Sequence, residues 1–506
     1  MGLARGVGLL WRPLPYDGRK GDRPVACRGV GVWQAGRGTR RRFYNICLHP
    51  QAHPSISPSA WGYNGFMTRK LLSLSLVGWV VIALSACTAT PISAPAPKAT
   101  GYPTDAWALW QPGPWLRGAN IYQRRVYPEL DGVLFYGPGP FGPPYTQKDF
   151  DALAEQGANW VVLSVMGPYT VTPPYRLDPV ALEHIAHLVD MAWQADLFVT
   201  LAVRSGPGRS EFSILREGLN DWFGPEYLHE EVWTEPAARM AWAEMWQTLA
   251  QRFRQHPAVV GYELMVEPNA NDIVGVYDPK TFDELYQGTG YDWNMWYPDL
   301  VAAIREVDPE TPILVSPLDY ASPQWLDHLK PVDAPHMVYS VHLYEPFTYT
   351  HQEANVEEPW HYPGRMLLND ARGAAVWVDQ TMLDESMAVV AAYRLRSRSP
   401  VAITETGIMR WEPGAAEFMR DRLEAAERYG LNYAIWMWYP DWPALNRPEG
   451  DHAFNFRLSA DADSFAVDPE NALWHTYREL WRRNTVRPSL WGAVPKGGTV
   501  PTPANP

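Results

Sequence analysis

From Trp115 onward the chain alternates two patterns. Short apolar runs rich in β-branched and aromatic residues are followed by longer stretches whose apolar positions recur every three or four residues. The first kind reads as strands and the second as amphipathic helices, so their regular alternation predicts repeated βα units and a parallel sheet. Eight strands are predicted: Leu116 to Ile121, Trp160 to Val165, Leu197 to Val203, Val259 to Met265, Ile313 to Val315, Met337 to His342, Val401 to Thr404 and Tyr433 to Met437. Between them Leu182, Ile185, Leu188 and Ala192 share one helical face, as do Trp242, Met245, Leu249 and Phe253. Eight such units predict an α/β fold, a single (β/α)8 TIM barrel over residues 104–490.

The predicted connections are lopsided. Helix-to-strand links are short, as at Gln194 to Asp196, Arg254 to Ala258 and Ser397 to Pro400, whereas the strand-to-helix links Arg204 to Glu235 and Tyr344 to Gly373 are long. A barrel enzyme carries its chemistry on the strand-to-helix face, so elaboration there predicts an active site there. Those loops hold Trp222, Phe223, Tyr227, Trp233, Trp293, Trp296, Tyr297, Trp360 and Tyr362, which predicts an aromatic cleft suited to sugar rings.

Composition narrows the chemistry. The chain has 506 residues, 46% hydrophobic and 20% charged, enough apolar material for a large core. Its formal charge is −13, and because residues 1–66 hold ten Lys and Arg against two Asp, the remainder is more acidic still. An acidic body excludes a nucleic-acid partner. Cys27, Cys47 and Cys87 all precede the body, which therefore has neither an internal disulfide nor a thiolate metal site. No His-Glu-x-x-His pattern, phosphate loop, dinucleotide turn or Gly-x-Ser-x-Gly elbow occurs, so no metal or cofactor is expected.

The N-terminal part reads as an address. Residues 67–87 join the basic start Met67-Thr-Arg-Lys70 to an apolar run ending at Leu84-Ser-Ala-Cys87, the pattern of a bacterial lipoprotein signal with Cys87 as lipidation site. Translation is expected to begin at Met67, making residues 1–66 a non-native upstream extension. Residues 88–103, rich in Ala, Pro and Thr, read as a tether, and 491–506 as a disordered tail. The body is thus expected to be exported and to meet the membrane only through its lipid. Nothing in the pattern specifies an oligomeric state.

Two carboxylates stand at predicted strand ends. Glu267 ends the fourth strand in Gly261-Tyr-Glu-Leu-Met-Val-Glu-Pro268, and Glu405 the seventh in Pro400-Val-Ala-Ile-Thr-Glu-Thr-Gly407. Strands on opposite sides of an eight-stranded ring can aim side chains at each other across its mouth. Glycoside cleavage needs such a pair: one protonated carboxyl for the leaving oxygen, and one ionised carboxylate for the anomeric carbon. Glu263 shares the face of Glu267 but sits deeper, where layer filling or ion pairing is expected.

At these residues the chain resembles glycoside hydrolase family 5, the cellulase family of retaining (β/α)8 enzymes. Leu116-Arg-Gly-Ala-Asn120 resembles the family's opening strand, Tyr262-Glu-Leu-Met-Val-Glu-Pro268 its acid/base strand, and Ser340-Val-His-Leu-Tyr-Glu-Pro346 its sixth-strand motif. Ile403-Thr-Glu-Thr-Gly407 resembles its nucleophile strand and Tyr433-Ala-Ile-Trp-Met-Trp438 its eighth. The resemblance implies that Glu267 is the acid/base and Glu405 the nucleophile. It implies that His342 and Tyr344 line the pocket and that Trp436 floors it, with Trp438 and Asn120 as further candidate substrate residues. For His342, Trp436 and Trp438 the alternative is ordinary barrel packing.

Three positions depart from the family pattern. Val266 stands where an Asn holds the sugar 2-hydroxyl, Val162 where an Arg supports the nucleophile, and Arg204-Ser-Gly-Pro-Gly208 where a His-bearing turn follows the third strand. Asn269 or Asn271 is expected to replace the missing amide, and Arg204 the missing cation. Together these features predict a retaining β-glycoside hydrolase acting on a carbohydrate, the alternatives being an inactive barrel that binds surface glycans and a transglycosylase.

Overall fold

Strands covered on both faces must be apolar on both faces, which is why the strand runs read as nearly continuous Val, Ile, Leu and Trp. In the computed structural model the described residues are 105–491, apart from 354–355, 369–373, 443, 445–452 and 456–470. The extension 1–66, the signal with Cys87, the tether 88–103 and the tail beyond 491 lie outside them. Eight parallel strands close into a barrel: β1 Arg117–Tyr122, β2 Trp160–Met166, β3 Phe198–Ser205, β4 Val259–Glu263, β5 Ile313–Val315, β6 Met337–Leu343, β7 Val401–Thr406 and β8 Asn432–Ile435. Each pairs with the next, and β8 with β1.

The surrounding helices are α1 Gln147–Glu155, α2 Pro179–Gln194, α3 Pro236–Phe253, α4 Tyr297–Arg305, α5 Gln380–Ser397, α6 Ala415–Arg428 and α7 Ala472–Trp481. After β5 the 3-10 helix Pro323–His328 takes the corresponding place. Several begin where local chemistry satisfies the free N–H groups. Asp178 caps α2 by accepting from Val180 and Ala181, with Pro179 in the first turn, and Thr146 and Asp149 form a capping box on α1. Among the described residues no helix is long and apolar enough to cross a membrane.

Alternation along each strand divides the core in two. Outward residues such as Ala119, Ile121, Val161 and Leu201 pack against the helices, while Leu116, Trp160, Val162, Phe198, Leu314 and Val338 fill the barrel. Trp110, in a 3-10 turn ahead of β1, joins this inner cluster and donates through its indole N–H to the Val260 carbonyl at 2.8 Å.

Strand boundaries differ in an instructive way. β3 and β7 run two residues beyond their expected ends, so Arg204 and Glu405 lie inside hydrogen-bonded strands rather than in loops; β4 and β8 stop two residues short. The loop aromatics also depart from expectation. Trp233, Trp293, Trp296 and Tyr297 are at most 3% exposed and pack on one another with ring centroids 4.5 to 6.3 Å apart. Phe223 and Tyr362 are buried too, whereas Trp222 is 46% exposed. Long loops need apolar anchors of their own, and these tryptophans supply them instead of lining a cleft.

Candidate active site

Above the apolar filling the barrel interior turns polar. Glu263, fully buried, accepts from the Ser316 and Thr404 hydroxyls at 2.9 and 3.0 Å, and Ser316 also meets the Ser340 hydroxyl at 2.8 Å. Glu263 is thus a layer residue beneath the mouth, held through its Oε1. Asn120 belongs to this layer as well: its amide donates to the Thr404 carbonyl at 2.8 Å and it is completely buried. It ties β1 to β7 and does not line a pocket, which corrects its expected substrate role.

Glu405 reaches the next layer by a break in the ladder. Ala402 faces the barrel interior and Ile403 the helices, so simple alternation turns residue 405 outward with Ile403. The register against β6 instead passes from Ile403 opposite Val341 to Glu405 opposite His342, one residue being extra on β7. This bulge re-aims Glu405 into the mouth beside His342. Glu267 is turned by a different device, a left-handed backbone at φ 52°, a conformation uncommon outside glycine. Arg209 braces it: fully buried, the guanidinium donates to the carbonyls of Glu267 at 2.7 Å and Val266 at 3.0 Å, and also to that of Arg204.

The two carboxylates converge. One ligand atom each from Glu267, His342 and Glu405 lie within 4.8 Å of one another. His342 Nδ1 stands 2.8 Å from Glu267 Oε1 and 3.4 Å from Glu405 Oε2. Tyr344 donates its hydroxyl to Glu405 Oε2 at 3.0 Å. Arg204 donates to Glu405 Oε1 and to the Ser164 hydroxyl, both at 3.1 Å, and lies 3.9 Å from Glu267. The cation expected beside the nucleophile position therefore arrives from β3. Val162 stays in the apolar filling, and Ser164, two residues further along β2, meets the guanidinium instead.

These contacts set the protonation states. Burial pushes Glu405 up to about 7; His342 and Arg204 oppose this, while the negative charge of Glu267 adds to it. Glu267 is held below the usual carboxylate range, because its own burial is outweighed by the His342 hydrogen bond and the charges of His342, Arg204 and Arg209. Burial works against the His342 charge, but Glu405 and Glu267 raise it to about 9, so it is an imidazolium at neutral pH. Two carboxyls this close titrate as a pair. Near neutrality they share one proton.

Trp436 is 5% exposed, with the Arg204 guanidinium carbon 4.9 Å from its ring centre and Tyr122 5.5 Å away on centroids. Trp438 does not join it. Fully buried, it donates to the Asp149 carbonyl at 2.9 Å and stacks on Trp474, so packing is its role. Asn269 and Asn271 do not replace the missing amide either. Asn269 is buried, donating to Ser213 at 2.7 Å and accepting from Arg209, and Asn271 is locked in a two-way bond with Asp319.

Sequence reasoning missed Tyr122, Ser164, Arg209 and Glu211. The available signal was the turn Arg204-Ser-Gly-Pro-Gly-Arg-Ser-Glu211, which places three charges directly after a buried strand. A metal could use Glu267, His342 and Glu405 as ligands, but Arg204 and the His342 imidazolium already supply positive charge there, and a cation would have to displace it.

Comparison with known proteins identifies the family and the fold. The model for the cellulase family, glycosyl hydrolase family 5, matches residues 128–441. Endoglucanase C of Acetivibrio thermocellus is 23% identical over 217 residues, covering 42% of this chain and 54% of that protein. An endoglycoceramidase of Cyanea nozakii is 24% identical over 213 residues, covering 33% of this chain and 41% of that protein. The chain thus spans about half the length of the curated relatives it matches. Among solved structures, the endoglucanase Cel5A of Thermotoga maritima superposes with a TM-score of 0.50 at 17% identity, over 74% of this chain and 99% of that one. The Pseudomonas stutzeri endoglucanase Cel5A gives 0.50 at 18% identity, over 73% and 95%. At such identities the structural likeness speaks for the fold alone.

Proposed function

The chain belongs to the cellulase family, glycosyl hydrolase family 5, and on that premise we propose that it is a retaining glycoside hydrolase cleaving β-glycosidic bonds in a poly- or oligosaccharide. One observation carries the reading: Glu267 and Glu405, from opposite sides of the barrel mouth, meet across His342 within 4.8 Å. Retaining enzymes hold their two carboxyls about 5 Å apart, so the second carboxylate reaches the anomeric carbon itself, with no room for a water between them.

In this reading Glu405 attacks the anomeric carbon as the glycosidic C–O bond breaks, and Glu267 gives its proton to the departing oxygen. Glu267 then takes a proton from water, whose oxygen displaces Glu405 from the glycosyl ester. The proton that the pair shares has to sit on Glu267 for the first step. His342 supports that placement, because its Nδ1 is within 3.4 Å of both carboxylates and can give its proton to Glu267 while taking one from Glu405. Tyr344 and Arg204 then stabilise the ionised nucleophile, and Trp436 offers an apolar face to the sugar ring.

A 2-deoxy-2-fluoro β-glycoside with a good leaving group tests the proposal. It should inactivate the protein and leave a sugar mass on the peptide containing Glu405. Labelling of another residue removes the nucleophile assignment. No turnover on β-glucans, mannans, xylans and glycosylceramides, combined with no labelling, favours a glycan-binding barrel. We further propose that the body is exported and lipid-anchored at Cys87, supported by the Leu84-Ser-Ala-Cys87 motif; labelling with radioactive palmitate should be lost in Cys87→Ser.

A further inference from the structure

We propose that Glu211 is a positioning residue for the nucleophile, acting through Arg204 to fix both the place of the guanidinium and the charge that faces Glu405; this rests on the hydrolase reading above. Glu211 opens a 3-10 turn seven residues beyond Arg204 and is 4% exposed. Its Oε1 accepts from the Tyr122 hydroxyl at 2.8 Å and from Arg204 Nε at 3.1 Å. Buried beneath the mouth, it does not touch the reacting atoms and acts through its neighbour.

The guanidinium makes that action directional. It is planar, so fixing its Nε edge fixes where the other two nitrogens point. Glu211 holds Nε, which leaves Nη1 for Ser164 and Glu405 and Nη2 toward Glu267 at 3.9 Å. The Tyr122 and Trp436 rings, centred 5.2 and 4.9 Å from the guanidinium carbon, limit its tilt. Tyr122 therefore touches both ends of the relay, by its hydroxyl at Glu211 and by its ring at Arg204.

The turn carrying Glu211 is itself fixed. Gly206 and Arg209 pair by backbone hydrogen bonds in both directions, at 2.9 Å each. Gly208 has φ 65°, and a Cβ there would meet the Val232 nitrogen and the Ala238 methyl at 2.8 Å. One buried Arg thus serves three carboxylates, and with Glu211 pinned on Nε, the orientation it offers Glu405 is determined by the β3 turn.

The test uses the full chain carrying Glu211→Gln, Glu211→Ala or Tyr122→Phe. A dinitrophenyl β-glycoside, whose leaving group needs no proton, reports attack by Glu405; a natural glucan reports the complete reaction. Ångström-scale misplacement of such a group costs about a hundredfold, so Glu211→Ala should lose about that in kcat/KM on the aryl glycoside. Glu211→Gln keeps an acceptor for Arg204 without its charge, and should lose less while moving the alkaline limb of the glucan pH profile to lower pH. The other groups facing the carboxyl pair, Arg204, His342, Tyr344, Glu263 and Arg209, are untouched in that variant.

Tyr122→Phe removes one donor from Glu211 and keeps the ring, and should lose a few-fold; it carries the test with Glu211→Gln if the Ala variant does not fold. If the wild type turns over and these variants stay within about twofold of it with an unmoved alkaline limb, the proposal is overturned, even if thermal stability falls. That result would make Glu211 a structural ion-pair partner. An inactive wild type overturns the hydrolase reading and this proposal together.

Discussion

Arg204 Nη1, on the third strand, lies 3.1 Å from Glu405 Oε1 on the seventh, spanning the barrel interior. The contact places a permanent positive charge beside a carboxylate that burial pushes up to about 7. Burial also opposes the Arg204 charge, but Glu211, Glu405 and Glu267 more than offset it and keep the guanidinium protonated. Removing it strands two buried carboxylates. Arg204→Ala is expected to lower stability by about 3 to 5 kcal/mol, the usual cost of breaking one side of a buried pair, and to abolish turnover. Chemical denaturation and kinetics on one preparation check both.

The pH profile follows from the shared proton. Catalysis on a natural glycoside needs the pair singly protonated. Above about 7 both carboxyls are ionised, and below the depressed Glu267 value both are protonated. Activity should therefore peak on the acid side of neutrality and fall as pH rises through about 7. With a dinitrophenyl glycoside no proton is needed, so the alkaline fall should vanish while the acid limb stays. An alkaline limb shared by both substrates would contradict the assignment.

Glu267→Ala separates acid from nucleophile. Loss of the proton donor should cost natural substrates about a hundredfold or more and good leaving groups much less in their first step, in line with the usual contribution of general acid catalysis. Azide should restore turnover as a glycosyl azide in this variant and in Glu405→Ala. Equal losses across leaving groups would contradict an acid role for Glu267.

Restoring the family's amide should fail. Val266 is 1% exposed and packs with the apolar filling. An Asn there has no free partner among those neighbours, and an unsatisfied buried amide costs about 1 to 3 kcal/mol. Val266→Asn should unfold at lower denaturant concentration without gaining activity, and a gain in kcat/KM on a glucan would show that the mouth can rearrange to use it.

The two tryptophans just beyond β8 should divide stability from function. Trp438→Ala removes a fully buried ring and should cost about 3 to 5 kcal/mol. Trp436→Ala, at the mouth, should mainly lower kcat/KM. Melting curves and kinetics for the pair check this, and equal melting losses would contradict it.

The barrel was legible because strand and helix periods differ so sharply: Val161 and Leu163 face α-helices while Val162 faces inward, and the alternating blocks repeat eight times. Glu267 and Glu405 were legible as a strand-end pair. Asn120, Asn269 and Trp438 were misassigned because proximity in sequence does not show which way a side chain is already committed. Each of the three is spent on a carbonyl elsewhere in the fold. Glu211 and Arg209 were missed because a turn rich in Gly and charge looks solvated in sequence, yet here it folds under the mouth.

The bulge on β7 means that the presence of a nucleophile depends on how many residues precede it as much as on its identity. Ironing the bulge out with every residue kept, so that the ladder stays regular past Ile403, would leave every chemical group of the mouth intact in composition while rotating the Glu405 side chain toward the helical shell. A barrel of this kind could lose chemistry, and keep both its shape and its sequence, through a slip of one residue in a single strand.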